Sequence, residues 1–153
     1  MITIPVTERN RKDAHLAAIR YCNARGTSKA IVTDYAHRDV ADRAEIGFLG
    51  QSAFIEYFAL TKSDGIKYDA LTKSGKRDEI KVKTRWGWQA RADYDVQAVE
   101  VGNHDLIVWL HYDESTRALA WVGTSYPKSE KWAQSRTVVY FGDIVKPEIT
   151  QLV

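Results

Sequence analysis

Between Asp69 and Lys81 two carboxylates and an ammonium, Asp69, Glu79 and Lys81, are divided between two short β-prone runs. The first run is Ile66 to Leu71, the second Arg77 to Thr84, and Ser74-Gly75 lies in the polar break between them. A glycine in such a break predicts a hairpin. Strand alternation then sets Ile80 and Val82 on one face and Glu79, Lys81 and Lys83 on the other. The residue types suit metal-assisted hydrolysis of a phosphodiester. A hard cation such as Mg²⁺ takes one or two carboxylates together with water and phosphate oxygens, so Asp69 and Glu79 are the candidate metal ligands. The ion would polarise a phosphoryl oxygen and lower the pKa of its bound water. The Lys81 ammonium would orient that water or neutralise charge building on the phosphate.

This chemistry makes a demand on register. Asp69 shares a face with Lys81 only if the turn holds an odd number of residues. A three-residue Ser74-Gly75-Lys76 loop with Gly75 in the left-handed region meets it, whereas a two-residue turn sets Asp69 opposite Ile80. The same residues also suit an exposed hairpin laced with cross-strand ion pairs, and spacing does not separate the two readings.

Flanking sequence adds a family likeness. From Ala44 to Arg85, roughly a quarter of the chain, the sequence resembles the PD-(D/E)xK, or restriction-endonuclease-like, nuclease superfamily. That family sets a helix, often with a G-x-x-G-E pattern, before a hairpin with Asp at the end of one strand and (D/E)-x-K on the next. Here the helix reads Gly47-Phe-Leu-Gly50-Gln51 and the hairpin Tyr68-Asp69, then Glu79-Ile80-Lys81. The resemblance implies an α/β fold with a mixed central β-sheet flanked by helices. It implies Asp69 and Glu79 as ligands of Mg²⁺, with Mn²⁺ as substitute, and Lys81 as the catalytic lysine. Two departures stand out: Tyr68 precedes the Asp in place of Pro, and Gln51 occupies the position of the helical Glu. Glu45 is the preferred replacement, with Gln51 as a neutral partner and Glu56 as the alternative.

The activity so implied is that of a metal-dependent DNA endonuclease of restriction or homing type. A Holliday-junction resolvase and a non-catalytic DNA-binding protein with a relic site are the alternatives. Double-stranded DNA is the expected partner. Cutting both strands takes two sites related by symmetry, so a homodimer or higher homo-oligomer is expected.

Composition bounds the rest. At 153 residues, 44% hydrophobic and 27% charged, the chain suits one domain with a sizeable core, and argues against a disordered tail. The nuclease core is expected over about 38–125, with a helix over 8–25 and a C-terminal segment as additions. No stretch approaches the roughly 20 apolar residues of a membrane span, and no signal-peptide profile opens the sequence, so no membrane partner is expected. One cysteine, Cys22, excludes an internal disulfide framework and suits a cytoplasmic setting, the host cytoplasm included if the chain is phage-encoded. A net charge of +2 is weak evidence about nucleic acid, so the distribution of charge carries more weight than its sum.

Thr7 predicts a helix from about Glu8 to Arg25 with Cys22 on its buried face, and a second helix is predicted from about Asp39 to Leu60. Residues 27–35 read equally as helix or strand. Strands are predicted over Asp95–Val101, Asp105–Tyr112, Ala118–Thr124 and Val138–Phe141, with Pro147 limiting a last helical piece. Lys83, Arg85, Gln89 and Arg91 are the candidate DNA contacts, since Arg and Gln can read base edges and cations neutralise phosphates. Trp86 and Trp88 suit packing on the sheet edge. Arg9, Arg11, Lys12, Lys128 and Lys131 are further phosphate candidates, and His104 and His111 read as structural.

Overall fold

In the computed structural model the first helix, α1 (Glu8–Ala24), begins where Thr7 caps it. The Asn10 N–H donates to Thr7 Oγ1 at 3.1 Å, and Asn10 Oδ1 accepts from the Thr7 N–H at 2.9 Å. This is a reciprocal capping box with Asn in place of the usual Glu or Gln. Ala14, Ala18 and Cys22 form a buried stripe of small residues one turn apart, which lets α1 approach its neighbour closely. The structure describes the backbone of residues 1–24, 35–63, 69–73, 79–86, 93–95, 104–113, 115–133, 138–140 and 144–153, and the backbone alone at 35–43, 79–86, 93–95, 138 and 140.

The second helix, α2 (Tyr35–Tyr57), starts and stops earlier than the sequence predicts. It ends because Ala59 adopts φ 53°, in the left-handed region. There the Ala59 N–H donates to Glu56 O at 3.1 Å and the Leu60 N–H to Ile55 O at 3.0 Å. That is a Schellman closure, with the apolar pair Leu60 and Ile55 buried beneath it. Such a closure usually announces itself with Gly, and Ala conceals it.

Six strands form the main sheet: β1 (Ile2–Ile4), β2 (Thr61–Lys62), β3 (Ala70–Leu71), β4 (Glu79–Trp86), β6 (Leu106–Asp113) and β7 (Ala118–Ser125), in the order β1-β7-β6-β4-β3-β2. A separate pair joins β5 (Asp93–Asp95) to β8 (Val138–Tyr140). The β4–β6 pairing is parallel and the others are antiparallel, so the sheet is mixed and the molecule α/β. β5 begins before the strand predicted at 95–101, of which 96–101 lie outside the described residues. Residues 27–34 lie outside them as well. After Pro147 the last helical piece is a 3₁₀ turn, Ile149–Leu152.

Alternation along β6 builds two cores. Leu106, Val108, Leu110 and Tyr112 join Leu49, Ala53, Phe54 and Phe58 of α2, with Ile4, Ala14 and Leu152 in the same cluster. Ile107 and Trp109 face the other way, into a cluster with Trp132 and Val139. Both long helices thus pack into one cluster on one face of the sheet. A bulge in β7 serves both cores: Trp109 pairs with Gly123 and Leu110 with Trp121, leaving Val122 out of register. Gly123 cannot carry a side chain there, since a Cβ would meet Val145 O at 2.9 Å. No helix among the described residues is long and apolar enough to cross a membrane.

Candidate functional site

β3 and β4 are antiparallel, with Ala70 opposite Ile80 and Leu71 opposite Glu79. One step beyond the ladder, the same register sets Asp69 opposite Lys81. Seven residues separate Leu71 from Glu79, an odd number as the proposed site demands, although 74–78, with the expected Ser74-Gly75-Lys76 loop, lie outside the described residues. Asp69 stands in a bend and is half-buried, and its carbonyl accepts from the Ser63 N–H at 3.0 Å, which ties the bend to the end of β2. Positions 69, 79 and 81 therefore belong to one face of the sheet. Diagonal positions on neighbouring strands lie about 7–8 Å apart, within joint reach of two carboxylates.

The parallel pairing identifies which face this is. Ile80, Val82 and Thr84 stand in register with Leu106, Val108 and Leu110, whose side chains pack beneath α2. Lys81, Lys83 and Arg85 stand in register with Ile107, Trp109 and His111, on the opposite face. The site positions are thus on the side of the sheet turned away from the long helices.

That separates them from the helical candidates. Glu45 Oε1 lies 2.7 Å from Nδ1 of His15 on α1. Glu56 Oε2 accepts from Nδ2 of Asn10 at 2.6 Å, and the same amide donates to Ser52 Oγ at 3.1 Å. Gln51 lines a groove between the two helices. All three belong to the α1–α2 junction, where Glu45 and Glu56 join one helix to the other.

A different carboxylate comes nearer by register. Asp105 precedes Leu106, so the ladder that pairs Ile80 with Leu106 sets position 105 beside Glu79. Its Oδ1 lies 3.6 Å from Nζ of Lys128. The sequence holds only one signal for it, an acidic residue at the mouth of an apolar strand, and nothing short of the parallel pairing connects it with the hairpin. Among the described residues no three His, Cys, Asp or Glu side chains gather into a metal-binding group, and the side chain of Glu79 lies outside those residues.

Of the candidate DNA contacts, Lys83 and Arg85 are within β4, which runs through Trp86, while Gln89, Arg91 and Trp88 lie outside the described residues. Arg11 is committed to the protein: its guanidinium donates to Tyr112 Oη at 3.4 Å and to Arg117 O at 3.2 Å. Arg9 sits 3.9 Å from Asp13 on the exposed side of α1, where Lys12 is exposed too. Lys131 is exposed in a tight turn with φ 52°. His104 is buried and His111 half-buried within β6. No protein-family model matches the chain, and no curated protein matches it.

Proposed function

We infer that the chain is a metal-dependent DNA endonuclease with a restriction-endonuclease-like core, in which Asp69 and Glu79 hold the ion and Lys81 serves the phosphate. The observation that carries this reading is the β3–β4 register, whose odd connection gives the three positions a common face. The order along the chain supports it: a long helix, an Asp in the bend that leads into one strand, then Glu-x-Lys on the adjoining antiparallel strand. The donor set fits Mg²⁺ or Mn²⁺, since carboxylates are the ligands hard cations prefer. Once bound, such an ion supplies a polarised phosphoryl oxygen and an acidified water. The chain's own part is to hold the phosphate. Lys81 offsets the charge that builds on it, and Lys83 and Arg85, alternating along the same strand, extend the cationic track toward the flanking nucleotides. Double-strand cleavage then takes two copies of the chain on the duplex.

The use of Glu45 and Glu56 in helix packing favours a second reading, a DNA-binding protein whose site has lost a ligand and no longer cuts. One experiment separates the two. Purified protein is incubated with supercoiled plasmid and with a four-way junction, with Mg²⁺ and with EDTA. Discrete Mg²⁺-dependent plasmid fragments support the endonuclease, cleavage of the junction alone supports a resolvase, and retarded but uncut DNA supports the binding protein.

A further inference from the structure

We propose that Lys128 binds the DNA phosphate next to the one at the hairpin, and that Asp105 is the positioning residue that holds its ammonium there. The proposal rests on the endonuclease reading of Asp69, Glu79 and Lys81, and adds to it a contact brought from the end of β7. The ladder that pairs Ile80 with Leu106 sets position 105 beside Glu79, on strands about 5 Å apart. Asp105 Oδ1 lies 3.6 Å from Lys128 Nζ. The carboxylate next to the candidate ion ligands thus carries a cation of its own.

The fold fixes where that cation stands. β7 ends at Ser125, which pairs with Ile107 and whose Oγ accepts from Trp109 Nε1 at 2.8 Å. Ser125 therefore shares the odd-numbered face of β6, the face of the hairpin positions. The chain then turns and is held on that face by Trp132, which is buried in the cluster of Ile107 and Trp109. Backbone bonds close the turn: the Glu130 N–H donates to Tyr126 O at 2.8 Å and the Trp132 N–H to Pro127 O at 3.0 Å. Trp132 Nε1 also donates to Glu130 Oε2 at 2.8 Å. A turn pinned in this way loses little freedom when its lysine takes up a ligand.

Lys128 has capacity left for a phosphate. Its separation from Asp105 exceeds the usual length of a charge-assisted hydrogen bond, and its side chain is 44% exposed. An ammonium has three donors, so it can keep its carboxylate and still donate to a phosphate oxygen. Glu130 and Lys131, in the same turn, offset each other in charge and leave Lys128 as the cation directed at the site. Other cations are placed differently: Arg11 is bonded to Tyr112 and Arg117, and Arg9 and Lys12 lie on α1, across the sheet. Carboxylates at 69, 79 and 105 repel a phosphodiester on their own, so a bound strand needs cations beside the ion. Lys81 supplies one from within the hairpin, and Lys128 supplies the next from beyond Asp105.

The test is fluorescence anisotropy of a labelled short DNA duplex in EDTA, so that neither metal nor cleavage enters the readout. Lys128→Gln is expected to weaken binding about fivefold and to flatten the plot of log affinity against log salt by about 0.9, the value of one phosphate contact on duplex DNA. Lys128→Arg is expected to keep both the affinity and the slope. Lys12→Gln, the same neutralisation on the other side of the sheet, is expected to cost less than twofold with the slope unchanged. In an Asp105→Asn background the further change Lys128→Gln is expected to cost less than twofold, since the ammonium has already lost its tether. An unaltered slope in Lys128→Gln, or an equal loss in Lys12→Gln, would overturn the proposal. So would an undiminished loss from Lys128→Gln in the Asp105→Asn background, because Lys128 would then act without Asp105. Absence of duplex binding by the unchanged chain would overturn it too. Cleavage is followed separately in Mg²⁺: a chain that binds with the expected slopes and never cuts ends the endonuclease reading while supporting the Lys128 contact.

Discussion

Ala70 and Ile80 face each other across the β3–β4 ladder, and this one pair decides which residues the hairpin brings together. A slip by one residue would transfer every side chain of β4 to the other face. With the pair as found, the even positions of β4 share the face of Leu106 and Val108, and the odd positions share the face of Ile107 and Trp109.

The first prediction concerns metal. DNA hydrolysis is expected to require Mg²⁺ or Mn²⁺ and to vanish in EDTA, while Ca²⁺ supports binding with little cleavage because its looser coordination positions the attacking water poorly. Gel analysis of plasmid across these ions checks it, and full activity in EDTA would end the metal-nuclease reading.

The second concerns the division between hairpin and helix. Asp69→Ala, Glu79→Ala and Lys81→Ala are each expected to lower the cleavage rate at least a hundredfold with DNA affinity retained. Glu45→Ala and Gln51→Ala are expected to leave cleavage within about fivefold, because both residues sit at the α1–α2 junction. Single-turnover rates decide the matter. A large loss in Glu45→Ala with stability unchanged would move the third carboxylate back to the helix.

These contrasts show which parts of the molecule were legible in the sequence. α1 was readable because Thr7 and the small-residue stripe are local signals, and β6 and β7 because long apolar strands are strongly patterned. The end of α2 was not, since its left-handed closure falls on Ala59. β1 escaped notice because three residues carry no periodicity of their own, and its pairing with β7 is a contact across most of the chain. The side of the sheet occupied by the hairpin positions follows from the parallel β4–β6 register. No local pattern encodes that register, so a helical carboxylate looked like a natural partner for Asp69 while Asp105 passed unremarked.

The third prediction concerns Asn10, which is 1% exposed and joins the Thr7 cap to Ser52 and Glu56. Asn10→Ala removes the reciprocal cap bond and both links to α2. It is expected to cost about 2 kcal/mol in urea unfolding, a loss below about 0.5 kcal/mol meaning that water takes over the bonds.

The fourth is a stabilising change. Ala59 keeps φ 53° at the close of α2, a conformation glycine adopts without steric cost. Ala59→Gly is expected to raise stability by about 0.5–1 kcal/mol, the relief of backbone strain exceeding the added entropy of the unfolded chain. A lowered melting temperature would show that the entropy dominates.

The fifth concerns pH. The Asp113 carboxyl is held below its ordinary value, first by the Ser115 hydroxyl at 2.7 Å and then by the Ser115 N–H at 2.9 Å. A depressed carboxylate contributes stability above its unfolded pKa, and that contribution fades as pH falls through the lower folded value. Ser115→Ala is therefore expected to raise the Asp113 midpoint in an NMR titration. Its small cost to stability should appear at neutral pH and shrink on acidification. An unmoved midpoint would mean that the hydroxyl contributes nothing.

The Lys73 N–H donates to Leu152 O at 3.0 Å, and Leu152 is buried in the main core. The loop that leaves β3 is thus fastened by a residue synthesised some eighty positions later. During translation the hairpin emerges well before its clasp, and β1, first to emerge, waits for β7. Because such distant pairings delay folding, both strands wait on residues made much later in the chain. The strand that follows Asp69 therefore gains its last anchor only once Leu152 has been made.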